Sequence, residues 1–280
     1  MEKWRFIRSG ACAPAWNMAL DEAILTAHSE GKVPSTLRFY GWNPPTLSIG
    51  YFQKAEAEVN LAKLQQKGFG FVRRATGGRA VLHDRELTYS MVVSEDYPGL
   101  PSGVTEAYRV LSKGLQIGFR RLGLDAQMVQ LRTENEKQEY ASQGSAACFD
   151  SPSWHELVVA GRKVAGSAQI RQKGVLLQHG SILLELDSVQ LFSLLKFSSD
   201  LLKYKLEKTF NQKAIAINPL REAQGMSSVS LETVEEAFLQ GIMEGLNIEI
   251  EVAEPTPYEL ELAQQLVDEK YGLDAWNLKK

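Results

Sequence analysis

Extended and helical segments are segregated along this chain of 280 residues, and no other feature constrains its fold as much. Short runs bounded by turn residues cluster between residues 36 and 94 and again between 155 and 186. The two longest helical periodicities lie outside those clusters, at 14–30 and 104–122. In the first, Trp16, Leu20 and Ile24 recur every four residues, Met18 and Leu25 widen the stripe, and Gly31 and Pro34 end it. In the second, Tyr108, Leu111, Leu115, Phe119 and Leu122 keep helical spacing until Gly123. Strict strand–helix alternation would build a parallel, doubly wound sheet. Segregation instead predicts α+β, with a central, largely antiparallel sheet flanked by helices.

Within the first cluster, Thr36–Tyr40 and Thr46–Tyr51 flank an Asn43-Pro44-Pro45 turn, and a short helix follows around 59–66. Residues 69–74 and 79–83 then flank Gly77-Gly78, and 87–94 follows, which reads as an antiparallel meander. In the second cluster, His155–Val159, Val164–Arg171 and Val175–Leu186 are joined by hairpin turns at Ala160-Gly161-Arg162 and Gln172-Lys173-Gly174. Between the clusters, residues 132–151 are polar, small and without period. That predicts a long exposed loop of the kind that often carries function. From 189 onward the pattern is mostly helical. Its last helix opens with a capping box, Thr256 as N-cap, Pro257 at N1 and Glu259 at N3, and Gly272 is its expected stop.

Composition excludes several classes. The chain is 44% apolar and 23% charged, so it is not disordered throughout. Lys plus Arg numbers 31 against 34 Asp plus Glu, a net charge of −3, which excludes a bulk polyanion binder; no nucleic-acid partner is expected. No apolar run approaches the roughly 20 residues of a membrane helix. Met1 to Arg8 has no apolar signal core, so a cytoplasmic, membrane-free protein is expected, and a monomer. Two cysteines, Cys12 and Cys148, rule out a disulfide framework or a Cys-rich zinc site, and the four histidines lack metal-ligand spacing. No metal and no resident cofactor is expected.

The densest segment is Arg73-Arg74-Ala75-Thr76-Gly77-Gly78-Arg79-Ala80-Val81-Leu82-His83-Asp84. Gly-Gly lets backbone approach a ligand, and three arginines can hold a phosphate or carboxylate bidentately. The plainer reading is a hairpin turn with solvated arginines. A second segment, Gly161-Arg162-Lys163-Val164-Ala165-Gly166-Ser167-Ala168-Gln169, places a lysine before small residues, where it can aim a charge into a cleft. Its plainer reading is an exposed turn lysine. His179 reads as a structural hydrogen-bonding residue sooner than as a base. Cys148 sits among small residues at the end of the polar loop, accessible enough for a working thiol, against the alternative of an inert, partly buried one. Cys12 has no basic neighbours in sequence and reads as inert.

Taken together these segments resemble the biotin/lipoate protein ligase superfamily. Arg73-Arg74-x-x-Gly77-Gly78 with Val81 and His83-Asp84 resembles its Arg-Arg-x-x-Gly-Gly box. Gly161 to Gln169 resembles its lysine box, and His179-Gly180-Ser181-Ile182-Leu183-Leu184 the strand that follows. Tyr271-x-x-x-x-Trp276-Asn277 is similar to the family's C-terminal signature. Within the superfamily the likeness is to the LipM type of octanoyltransferase. Asp84-Arg85-Glu86-Leu87 departs from the Asp-x-Gly-Asn of the ATP-dependent ligases, and Ala147-Cys148-Phe149-Asp150-x-Pro152-Ser153-Trp154 resembles the transferase's acyl-cysteine loop.

The resemblance implies a catalytic domain at 33–248, with the 14–30 helix packed on it, and a helical extension at 249–280. It implies octanoyl transfer from octanoyl–acyl carrier protein to a lipoyl-domain lysine, in the glycine cleavage H protein or other lipoyl domains. Cys148 would carry the acyl thioester and Lys163 would lower its pKa. Arg73, Arg74, Gly77, Gly78, Arg79, His83, Gly166, Ser167, Ala168 and His179 would line the substrate site. The Gly77-Gly78 turn and the Val164–Gln169 strand are the expected walls of the acyl slot. Arg73, Arg74, Arg79, Arg162, Arg171 and Lys173 are candidates for meeting acidic carrier proteins. Three alternatives stay open: an ATP-dependent lipoate–protein ligase, a lipoyl-domain amidotransferase, and a catalytically dead carrier-binding module.

Overall fold

The computed structural model describes residues 1–130 and 155–279. Cys148 and the whole polar 132–151 segment lie outside the described residues. Among the described residues, twelve strands and ten α-helices run in chain order. First come β1 (Glu2–Cys12), α1 (Pro14–Ser29), β2 (Thr36–Trp42), β3 (Thr46–Ile49), α2 (Ala55–Glu58), α3 (Leu61–Gln66), β4 (Gly70–Arg73), β5 (Val81–His83), β6 (Glu86–Ser94) and α4 (Val104–Arg121). Next are β7 (Gln127–Gln130), β8 (His155–Val159), β9 (Arg162–Lys163), β10 (Ala165–Gln172) and β11 (Val175–Leu183). Then come α5 (Ser188–Ser193), α6 (Asp200–Lys213), α7 (Ile217–Ala223), α8 (Leu231–Leu246), β12 (Ile248–Val252), α9 (Pro257–Leu266) and α10 (Asp274–Asn277).

The central sheet has six strands in the order β10-β11-β6-β2-β1-β12. Its β10, β11, β6 and β2 are antiparallel, while β1 pairs parallel with both β2 and β12. The antiparallel majority matches the expected α+β class. Both hairpin turns form where glycine follows a residue of positive φ: Ala160 (49°) with Gly161 (73°), and Lys173 (55°) with Gly174 (72°).

The expected meander is corrected. β3, β4 and β5 leave the central sheet and form their own, in the order β4-β3-β5. β3 and β4 run parallel because the chain between them makes a crossover through α2 and α3, long enough to return in the same direction. Two strands of the central sheet also lie outside the sequence reading. β1 is an inner strand whose alternation is masked because Arg5 is itself buried, in an ion pair with Glu259 of α9. β12 falls in the stretch expected to be helical, although Ile248-Glu249-Ile250-Glu251-Val252 has the strand period of two. It makes the central sheet continue across the 248/249 boundary.

The period of two divides the central sheet between two layers. One face sends Trp4, Phe6, Leu37, Phe39, Leu87, Tyr89, Met91 and Val93 into a core closed by α4 and α8. Those helices cross closely at glycines: a Cβ on Gly114 would lie 2.5 Å from Ile242 Cα, and one on Gly241 only 2.4 Å from Gly118 N. The other face packs Ile7, Tyr40, Trp42 and Val92 under α1, with Ala263 of α9 and Tyr271. The Thr256 capping box forms as expected. Gly272 ends the helical stretch, with its amide bonded to Val267 O at 2.9 Å, but its φ of −82° is right-handed and not the left-handed form typical of a glycine stop.

Candidate active site

On the α1 side, even-numbered residues of β2 and β6 and odd-numbered residues of β11 point away from the apolar core. They meet α1 and the β3–β4–β5 sheet, and a pocket opens at that junction. It is lined by Met18, Tyr40, Trp42, Arg74, Gly78, Val81, His83, Thr88, Gly166, Ser167, Ala168, His179, Gly180 and Ser181. Two sequence segments far apart, 74–83 and 166–181, thus form facing walls. Gly78 has φ +97°, a backbone form open to glycine. Gly180 has no room for a side chain, because a Cβ there would lie 2.6 Å from Gly166 O.

Two polar chains run through the pocket walls. In the first, Arg74 Nη1 donates to Ser48 Oγ (2.6 Å), Ser48 faces His83 Nε2 (2.7 Å), and His83 Nδ1 faces Glu86 Oε1 (2.6 Å). A carboxylate only accepts, so His83 Nδ1 donates to Glu86. Glu86 also accepts from Thr88 and Ser181, and Trp42 Nε1 donates to Thr88 Oγ1 at 2.8 Å. The Trp42 ring stacks on His83 at 4.2 Å.

The second chain is centred on Asp21 of α1. Its carboxylate accepts from Arg38 Nη1 (2.8 Å), Tyr40 Oη (2.9 Å) and Ser90 Oγ (2.8 Å), and lies 3.4 Å from His179 Nδ1. His179 Nε2 meets Thr76 Oγ1 at 2.7 Å. Burial by itself would raise the Asp21 carboxyl, but the Arg38 guanidinium and the His179 bond hold it below its ordinary range. Burial pushes His179 below the ordinary histidine value, with Asp21 opposing, so the ring is neutral at pH 7. This is the structural hydrogen-bonding role expected of His179, here in a wall of the pocket.

The arginines do not take the solvated positions of the plainer reading. Arg73 is fully buried and Arg74 nearly so. The Arg73 guanidinium donates to backbone carbonyls: Gly50, Tyr51 and Gln53 on one side, Trp276, Asn277 and Lys279 on the other. It therefore lies beneath the pocket and is not available to a docking partner. Arg74 lines the pocket and holds Gly77 O (3.2 Å) and Arg79 O (3.0 Å). Arg79 points outward, 4.0 Å from Glu58, with 41% of its side chain exposed.

Lys163 is not an exposed turn lysine. It is buried, and its Nζ donates to Glu156 Oε1 at 3.0 Å. Its carbonyl accepts from Ile215 N at 3.0 Å, which fixes the strand end. Burial raises the Tyr108 phenol on α4, and the Lys163 ammonium opposes that shift, so the two lie close together. Ser167 links this corner to the core face, since its hydroxyl pairs with Tyr89 Oη at 2.7 Å. Cys12, read as inert, is partly buried and bonded through Sγ to Ser9 O at 3.4 Å. Among the described residues there is no cluster of His, Cys, Asp or Glu that could hold a metal, and no helix long and apolar enough to cross a membrane.

Sequence reasoning passed over Met18, Tyr40, Trp42, Asp21, Arg38, Thr88 and Ser181. A signal existed for one part of the network: Asn17 and Asp21 stand beside the apolar stripe of α1, and a polar pair there calls for buried partners. The others carry no local signature, because they read as ordinary helix or strand residues until the second sheet folds over them.

A family model described as the lipoyl protein ligase A/B catalytic domain matches residues 13–243. An "Octanoyltransferase LipM" of Brevibacillus brevis is 59% identical over 280 residues, covering all of both chains. Another of the same name, from Anoxybacillus flavithermus, is 57% identical over 279 residues, covering 100% of this chain and 99% of that one. Among solved structures, one from the bipartite lipoate protein ligase and E2 lipoyl domain system of Thermoplasma acidophilum superposes with a TM-score of 0.81 at 27% identity, covering 99% of this chain and 97% of that one.

Proposed function

This chain belongs to the lipoyl protein ligase A/B catalytic-domain family, and on that premise we propose that it is an octanoyltransferase of protein lipoylation. The observation that carries the reading is its 59% identity over the full length of an octanoyltransferase. The donor is octanoyl–acyl carrier protein, and the acceptor is a lysine of a lipoyl domain, the glycine cleavage H protein first.

The chemistry divides into two exchanges. The Cys148 thiolate attacks the carbonyl of the carrier's thioester; a new C–S bond forms, the old one breaks, and the carrier thiol leaves with a proton. The acceptor amine then attacks the octanoyl-enzyme. An amide C–N bond forms, the Cys148 sulfur leaves, and the amine gives up its proton. Both steps start from an activated acyl group, so ATP is not needed.

Lys163 is assigned the activation of Cys148, since an ammonium beside a thiol favours the thiolate. Its burial beside Glu156 supports that assignment, because a lysine held in a fixed place acts at a defined position. The octanoyl tail is assigned to the pocket between Gly78 and Ala168, against Met18, Tyr40, Trp42 and Val81. Its walls carry hydroxyls, an amide backbone and aromatic rings, and its polar groups are already bonded to one another, which suits an uncharged alkyl chain.

Intact-protein mass spectrometry after incubation with octanoyl–acyl carrier protein, without ATP, tests this reading. The expected result is an octanoyl adduct on the wild type that hydroxylamine removes, and no adduct on Cys148→Ala. Absence of adduct on both proteins, with modification of a lipoyl domain only when free octanoate, Mg²⁺ and ATP are supplied, would overturn it in favour of the ligase.

A further inference from the structure

The Tyr271-x-x-x-x-Trp276-Asn277 signature has no part in the chemistry above, yet it contacts the Arg-Arg-x-x-Gly-Gly box directly. A buried guanidinium held on backbone carbonyls has to satisfy five N–H donors on neutral acceptors. Arg73 does so by bridging two backbone segments far apart in the sequence, residues 50–53 and 276–279. Its Nε and Nη2 reach Trp276 O (3.0 Å), Asn277 O (3.1 Å) and Lys279 O (2.9 Å). Its Nη1 reaches Gly50 O (3.2 Å), Tyr51 O (2.9 Å) and Gln53 O (2.6 Å). The backbone of Arg73 is held as well: its amide donates to Asn277 Oδ1 at 2.8 Å, and its carbonyl accepts from Trp276 Nε1 at 2.9 Å.

The segment held on the far side of Arg73 is the one against which the pocket turn rests. Gly50 lies so close to Gly78 that a Cβ on it would be 2.1 Å from Gly78 O. Tyr51 N donates to Thr76 O at 2.8 Å, and Thr76 carries the hydroxyl that meets His179. The C-terminal segment is anchored in turn. Asn277 Nδ2 donates to Tyr271 O (2.8 Å), Tyr271 Oη and Lys270 Nζ both meet Glu22 of α1, and Lys279 Nζ sits over the Tyr51 and Trp276 rings at 3.3 and 3.8 Å.

The geometry points to a positioning clamp: residues 271–279, acting through Arg73, fix the Thr76–Gly78 turn and so set the shape of the acyl pocket. Trp276 and Asn277 do not line the pocket and act through the turn. The ligand whose binding they tune rests on the octanoyl reading; the clamp itself does not.

The test uses the full chain carrying Asn277→Ala or, as a milder change that keeps the ring, Trp276→Phe. Hydrogen exchange of the ligand-free proteins is read at residues 74–79, in β6 and β11, and at 271–279. The clamp predicts exchange at 74–79 faster by about fivefold, the loss of one net hydrogen bond, with β6 and β11 unchanged. It also predicts a KM for the octanoyl donor raised by about the same factor, with kcat within about twofold. Faster exchange confined to 271–279 in folded variants would overturn it, as would a fall in kcat at constant KM. Trp276→Phe decides the matter if Asn277→Ala does not fold. A wild type that forms no octanoyl adduct would count against the octanoyl reading alone, because the exchange measurement needs no substrate.

Discussion

The two faces of the central sheet are made by the same strands and are buried to the same degree, yet they differ in kind. Toward α4 and α8, Leu37, Phe39, Leu87, Met91 and Val93 pack as hydrocarbon, and two helices approach until glycine backbones touch. Toward α1, the intervening residues Arg38, Tyr40, Thr88 and Ser90 form a polar layer with Asp21, His179, Glu86 and Ser181. The first face is held by volume and shape. The second is held by mutual satisfaction, so each group is tolerable only while its partner is present. The pocket lies on the second face because small and polar residues leave space and directionality that a close-packed hydrocarbon layer does not.

The contrast can be broken most severely at Arg38. Arg38→Met leaves the Asp21 carboxylate buried without its main partner, and chemical denaturation is expected to show a loss of roughly 3–5 kcal/mol. Adding Asp21→Asn is expected to recover part of that loss, because no lone charge then remains. A double variant as unstable as the sum of the two single ones would sink the account of a mutually satisfied layer.

The apolar face offers a smaller effect of a different sort. Gly114→Ala places a methyl 2.5 Å from the Ile242 backbone and forces the two helices apart. It is expected to cost about 1–3 kcal/mol of stability while leaving KM for the acyl donor unchanged. A changed KM would mean that the two faces are coupled after all.

The smallest effect is in pH dependence. Burial lowers the folded value of His179 below its ordinary 6.5, so on acidification the unfolded chain takes up that proton first. The stability from the neutral ring is complete above 6.5 and is lost as pH falls from there toward the folded value. Between about pH 7.5 and about pH 5.5, the thermal midpoint of wild type is expected to fall more steeply than that of His179→Gln. Parallel slopes would mean that the ring is not the group titrating.

Much of this was legible in the sequence because it depends on neighbours. The 14–29 and 104–121 helices follow from apolar spacing and glycine stops, the two hairpins from positive-φ turn residues, and the capping box from Thr256, Pro257 and Glu259. The facing of 74–83 by 166–181 was available only through resemblance to a family, since nothing local connects those segments. The strand at Glu2–Cys12 was hidden because Arg5 breaks its pattern, and Arg5 is buried only because Glu259 lies against it.

Arg73 marks the dividing line. The sequence determines that an arginine stands beside a Gly-Gly turn, and chemistry determines that it has five donors and a permanent charge. Whether those donors meet a ligand, water or the chain's own carbonyls depends on what the fold carries to that place. The tertiary structure brought residues 50–53 and 276–279 there, and so turned a candidate ligand-binding arginine into the pin beneath the pocket. Local periodicity and caps act over a few residues, whereas the partners of a buried polar group come from anywhere in the chain; only the folded arrangement supplies them.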